Sequence, residues 1–92
     1  MNKIGYEDIQ DTKPWNVRRS KREDGLIISS IKAPCLAYYG KYETALVIPF
    51  GNDGEEIIRI LEGYDTKEDY LEGHEKYLNM SYEELMNFDY IG

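Results

Sequence analysis

An α+β fold follows from three features of the chain. Gly51-Asn52-Asp53-Gly54 separates two aliphatic runs, and Asn, Asp and Gly tolerate the positive φ that tight hairpins need. Leu26 to Lys32 is rich in β-branched residues and closes at Ala33-Pro34. Two segments near the C-terminus then carry N-cap signatures. The expected architecture is β-β-β-α-α: a small antiparallel three-stranded sheet, helices packed on one face, and an extended N-terminal arm.

Residues 1–25 form the arm in this reading, and residues 26–92 the single small domain. Apolar residues are sparse before Asp24, and Pro14 discourages a helix by lacking a backbone N–H. One helical turn near Tyr6 to Ile9 is expected, with Trp15 pinning the arm. Asp24-Gly25 is a turn signal.

The first strand is Leu26 to Lys32. Leu36 to Tyr39 reads as a strand extension or a packed loop before Gly40. Tyr42 to Phe50 is the second strand, and Pro49 implies either that pairing stops there or that it lies on an edge. Glu55 to Glu62 returns antiparallel. Its Ile57, Ile58, Ile60 and Leu61 fall on both faces, which points to two-sided burial, a bulge or an interface. If the two strands pair about the glycine turn, Glu43 and Glu62 approach across the ladder, with Lys41, Arg59 or Lys67 to offset them.

Thr66 and Asp69 make a variant capping box for the first helix. Tyr70, Leu71, His74, Tyr77 and Leu78 follow helical spacing, and the stripe centres on His74. Ser81 with Glu84 caps a second helix, and Met80 with Leu85 has the spacing of a hydrophobic staple.

Ninety-two residues leave room for one domain with a small core. Nine tyrosines offer both apolar area and hydroxyls, a composition that suits protein contacts. Charge is uneven. Up to Lys32 there are seven basic and five acidic residues; after it there are four and thirteen, giving the total of −7. The acidic half repels nucleic acid and favours basic partners or solubility. No stretch approaches a membrane span and no signal segment opens the chain, so a cytoplasmic protein is expected. A lone Cys35 excludes an internal disulfide, in keeping with a reducing compartment.

Candidate chemistry is thin. His74 is the one histidine, with Glu75 beside it in sequence. It reads as a core histidine bonded to backbone or a hydroxyl, because no nucleophile or second base stands at an interpretable spacing. Gly73 beside it implies a close approach of another backbone. Cys35, between Pro34 and Leu36, reads as a small buried hydrophobe. One His and one Cys cannot close a zinc site, and Asn52 to Glu56 lacks calcium-loop spacing. No catalytic residue, metal or cofactor is therefore assigned.

Two clusters are candidate partner surfaces. Arg18, Arg19 and Arg22 form a basic run with Trp15 nearby, which would meet phosphates or neutralise the protein's own carboxylates. Glu68, Glu72 and Glu75 line an acidic helix that would imitate a phosphate backbone.

The run Ile28-Ser29-Ser30-Ile31-Lys32-Ala33-Pro34, Tyr42-Glu43-Thr44, Tyr64-Asp65-Thr66 and Gly73-His74-Glu75-Lys76-Tyr77-Leu78 resembles a family of small uncharacterised bacteriophage and prophage proteins. The resemblance covers roughly half the chain. It departs at Ala45-Leu46-Val47-Ile48, where a methionine and an aromatic would be expected, and it excludes residues 1–25 and 79–92. It implies an origin and attaches no activity. Tyr42, Glu43, Thr44, Tyr64, Gly73 and His74 then read as structural motif positions.

The expected function is a phage-encoded accessory protein in the host bacterial cytoplasm that binds a protein partner, with inhibition of a host or antiphage-defence enzyme as its role. A minor virion or assembly component, docked by the arm and self-associating through the third strand, is the alternative. A small enzyme or nucleotide binder using His74 is the third reading. Nucleic acid and membrane are not expected partners.

Overall fold

The computed structural model describes residues 4–10, 13–32 and 40–92. Cys35 and the expected segment Leu36 to Tyr39 lie outside these residues. The described chain forms five strands and two helices: β1 (Tyr6–Asp8), β2 (Asn16–Arg22), β3 (Ile27–Lys32), β4 (Tyr42–Phe50), β5 (Glu55–Tyr64), α1 (Lys67–Leu78) and α2 (Tyr82–Met86). All five strands make one antiparallel meander in sequence order.

The expectation of three strands and a free arm is thereby corrected. Residues expected to extend as an arm instead supply β1 and β2. Asp24-Gly25 is the corner of a hairpin: Gly25 adopts φ +89°, its N–H bonds Arg22 O, and Arg22 N–H bonds Leu26 O at 2.8 Å. Asp-Gly between two extended segments is a strong hairpin signal. Its N-terminal strand was concealed because Asn16–Arg22 is mostly charged. The helical turn expected near Tyr6 is replaced by β1, which pairs Tyr6 with Arg22 and Asp8 with Ser20.

The β4–β5 hairpin turns through Gly51 and Gly54, at φ +71° and +75°. Pro49 sits opposite Glu56 in that ladder. The β3–β4 ladder has ended by then, at Ile27 opposite Val47. Pairing with β5 therefore continues while pairing with β3 stops, and the missing proline N–H falls where no strand needs it.

The mixed pattern of β5 resolves as a bulge. Thr44 faces Glu62, yet Ala45 faces Ile60, so Leu61 is the extra residue. Ile58 and Ile60 look to the outer face of the sheet with Val47 and Ala45. Leu61 and Tyr64 are buried under the helices. Glu62 reaches the Tyr77 hydroxyl at 2.8 Å and Lys76 Nζ at 3.0 Å. Glu43 and Glu62 consequently lie on opposite faces, and Glu62 is offset by Lys76 in place of the cations expected there.

Helix α1 lies across β3, β4 and β5. Thr66 caps it, accepting from the Asp69 N–H at 3.2 Å. Its buried face is Tyr70, Gly73, His74, Tyr77 and Leu78, while Leu71 stays exposed. Ser81 and Glu84 complete a reciprocal capping box for α2. Leu26, Ile28, Leu46, Leu61, Tyr77, Leu78 and Leu85 form the core, flanked by Met80, Phe88 and Tyr90. Burying such side chains contributes about 1.5–3 kcal/mol each.

Candidate functional site

Two places concentrate polar and aromatic chemistry: the seam beneath α1 and a cleft on the outer face of the sheet. At the seam, β2, β3 and β4 each send a hydroxyl toward α1. Ser20 Oγ is 2.9 Å from His74 Nε2, and Ser30 Oγ is 2.7 Å from His74 Nδ1. Thr44 Oγ1 is 2.7 Å from Ser30 Oγ. At the far end, the Ser20 hydroxyl donates to the Asp8 carboxylate. Ser20, Ser30, Thr44 and His74 are fully buried.

An ionised carboxylate only accepts, so the proton order along this chain is fixed. Ser20 gives its proton to Asp8 and accepts from Nε2–H of His74. Nδ1 in turn accepts from Ser30, and Ser30 accepts from Thr44. The imidazole is thus the neutral Nε2–H tautomer with both nitrogens occupied. Burial is the chief cause that lowers its pKa from 6.5 to about 4; Arg18 adds to the shift while Asp8 and Glu75 oppose it. The Ser20 hydrogen bond is the main influence that lowers the Asp8 pKa.

The arrangement satisfies every polar atom of a buried ring. It gives the histidine no free lone pair with which to take a proton. A Ser-His pair alone resembles acyl-transfer machinery, but here a serine stands between histidine and carboxylate, and both serines are sealed from solvent.

The motif positions gather at this seam. Tyr42 stacks on Tyr70 with ring centroids 4.8 Å apart and an interplanar angle of 19°. Thr44 bonds Ser30. The Tyr64 ring crosses under Gly73, whose missing Cβ would lie 2.0 Å from Tyr64 Oη. The close approach expected at Gly73 is thus to a side chain and not to another backbone. Tyr64 Oη makes no well-formed hydrogen bond among the described residues, and burial pushes its pKa up to about 12 against a smaller lowering by the neighbouring Thr44 hydroxyl. Glu43 is the exception: its side chain belongs to the outer face.

The basic run divides by strand periodicity. Arg18 and Arg22 share the helix side with Ser20, and Arg19 points outward. Arg22, expected as a partner-binding residue, is 2% exposed. It pairs with Asp24 and donates to Tyr77 O and Met80 O, at the C-terminal end of α1. A buried cation there matches the helix dipole and caps open carbonyls. Arg18 Nη1 is 2.7 Å from Glu75 Oε1, and its Nε is 3.3 Å from Asp8 Oδ1. Arg19 is 3.4 Å from Glu56. The run therefore neutralises the protein's own carboxylates. Glu68 and Glu72 remain exposed on α1, and Glu75 is tied to Arg18.

The outer face carries a cleft of about 440 Å³. Ile31, Ala45, Val47, Ile58 and Ile60 provide apolar lining, and Lys13, Trp15, Arg19, Glu43 and Glu56 add polar and aromatic groups. Trp15 is 46% exposed and Ile58 55% exposed. Lys13 Nζ lies 5.8 Å from the Trp15 ring centroid. Burial raises the Glu43 pKa, and no cation among the described residues offsets it. This cleft escaped sequence reasoning because Glu43, Ile58 and Trp15 come from three separated segments. Only the two-sided pattern of β5 hinted at it.

Among the described residues no cluster of three His, Cys, Asp or Glu is arranged to hold a metal ion. No helix of the described chain is long and apolar enough to cross a membrane. Comparisons with protein-family models, with curated proteins and with solved structures found no match.

Proposed function

We propose that this chain is a phage-encoded accessory protein that acts by binding another protein, without catalysis of its own, and that the cleft on the outer sheet face is its docking surface. One observation carries the reading: a cleft with a buried apolar floor at Ala45 and Val47, whose rim exposes Ile58 and Trp15 beside a part-buried carboxylate without a described cation. Exposed aromatic and aliphatic groups ringed by charge are typical of partner surfaces. Glu43, with no cation offsetting it among the described residues, favours a partner segment that presents an apolar side chain next to a lysine or arginine. The host bacterial cytoplasm is the proposed setting, and inhibition of a host or antiphage-defence enzyme the proposed role.

The non-catalytic part of the reading is supported by the occupied nitrogens of His74. The virion alternative relied on a free arm for docking, and much of that segment is instead β1 and β2.

The test is capture from bacterial lysate followed by reconstitution with the purified partner. The unaltered protein is expected to retain one partner that Trp15→Ala and Glu43→Lys both release, while each variant keeps the parental circular dichroism spectrum. Absence of a specific partner, or equal binding by all three proteins, removes the proposal.

A further inference from the structure

The outer edge of β5 is only partly paired among the described residues. Ile60 N–H donates to Gly92 O and Ile60 O accepts from Ile91 N–H, both at 3.0 Å, so the backbone groups of Ile60 point away from β4. Strand alternation gives Ile58 and Glu56 the same outward direction. Pro49 opposite Glu56 agrees, since a residue without an N–H cannot complete a hydrogen-bonded pair there. No described residue bonds the outward backbone groups of Glu56 and Ile58. Ile57 and Ile58 beside them are 39% and 55% exposed.

We propose that this edge joins a second copy of the chain in antiparallel register, with the two-fold axis passing through Ile57. The register is chosen by elimination. An axis at Ile58 would need the backbone of Ile60 to pair with Glu56 of the other copy, and Ile60 is taken by Ile91 and Gly92. An axis at Glu56 would set Glu56 against its own copy, like charge opposite like. An axis at Ile57 avoids both: it brings Gly54 toward Ile60 of the other copy, but Gly54 lies in the turn before β5 begins at Glu55, so no ladder pair is required there. Glu56 then exchanges two backbone hydrogen bonds with Ile58 of the second copy, and the symmetry repeats the exchange. Ile57 meets Ile57 at the closer, non-hydrogen-bonded spacing. Glu55 comes opposite Arg59, twice, so the charges complement one another.

The symmetry is that of an isologous dimer, in which one patch serves both partners. The two five-stranded sheets become continuous, and an exposed edge of the kind soluble proteins usually protect is removed. Both outer clefts then face the same side. Glu55 and Arg59 alternate to the helix side of β5, away from the cleft lining, so this inference stands apart from the docking proposal.

Sedimentation velocity on the full chain tests it. The unaltered protein is expected to pass from monomer to dimer as concentration rises. Glu55→Arg or Arg59→Glu alone should weaken the dimer at least about tenfold by placing like charges opposite. The pair Glu55→Arg with Arg59→Glu should restore it. Amide exchange at Glu56 and Ile58 should slow with concentration. A protein that stays monomeric, single variants that associate normally, or a double variant that fails to recover would each overturn the register and its dimer.

Discussion

A Cβ on Gly73 would stand 2.0 Å from the hydroxyl oxygen of Tyr64 and 2.4 Å from its ring carbon Cζ. Both atoms belong to a side chain packed between sheet and helix and 6% exposed, so a buried ring must shift to admit the added methyl group. Helix propensity alone would favour alanine at this position by about 1 kcal/mol. Overpacking opposes it. Gly73→Ala is expected to lose about 2 kcal/mol net, read as a lower urea midpoint. Tyr64→Phe removes a buried hydroxyl that makes no well-formed hydrogen bond among the described residues, and should be neutral or stabilising by up to about 1 kcal/mol. A Gly73→Ala protein as stable as the parent would contradict the contact.

The buried histidine predicts a pH dependence whose sign follows from its lowered pKa. The unfolded chain binds a proton near pH 6.5, and the folded chain only near pH 4. Between these values the unfolded state holds more protons, so stability is full above about pH 6.5 and falls as pH drops toward 4. The loss is on the order of 3 kcal/mol at most. Asp8 titrates below the ordinary carboxylate range and adds a separate loss at still lower pH, as its folded form is protonated. Denaturant midpoints across this range should show the decline. His74→Gln should flatten the part between pH 6.5 and 4, although it lowers stability throughout.

Arg22 ties β2 to the end of α1. Arg22→Ala would strand Asp24 and leave the carbonyls of Tyr77 and Met80 without this donor. A loss of about 3 kcal/mol is expected, since breaking a buried pair exposes its desolvation cost. Arg22→Lys should recover only part, because an ammonium lacks the planar fork that serves carboxylate and carbonyls together. Full recovery by lysine in thermal melts would refute that geometry.

Arg18 and Glu75 form a partly exposed link between β2 and α1. Their coupling in a double-mutant cycle should be about 0.5 kcal/mol. It should shrink as salt is raised. A coupling indifferent to salt would mean that the pair is more secluded than its exposed Glu75 suggests.

Much of the second half was readable in the chain because each local signal agreed with the next. The Gly51–Gly54 turn, Thr66 as cap and the Ser81–Glu84 box all act within a few residues, and each appears where its chemistry requires. β2 was opaque for a physical reason. Its inward side chains are Arg18, Ser20 and Arg22, which are buried by pairing with groups on distant elements and not by hydrophobicity. No window of sequence contains those partners. His74 illustrates the same limit. Its inward direction follows from helical spacing, but its two serines come from β2 and β3, and the first of these strands reads as an arm in sequence. The outer cleft was hidden likewise, since the sheet that frames it is wider than the apolar runs suggested.

The single inserted residue in β5 also separates two halves of one hairpin. Below Leu61 the strand is anchored to tyrosines and helix; beyond it, the last β4–β5 pairs extend past the final rung of β3. That outer portion behaves as a handle. Its tip, the exposed turn from Gly51 to Gly54, can therefore be lengthened without disturbing the foundation.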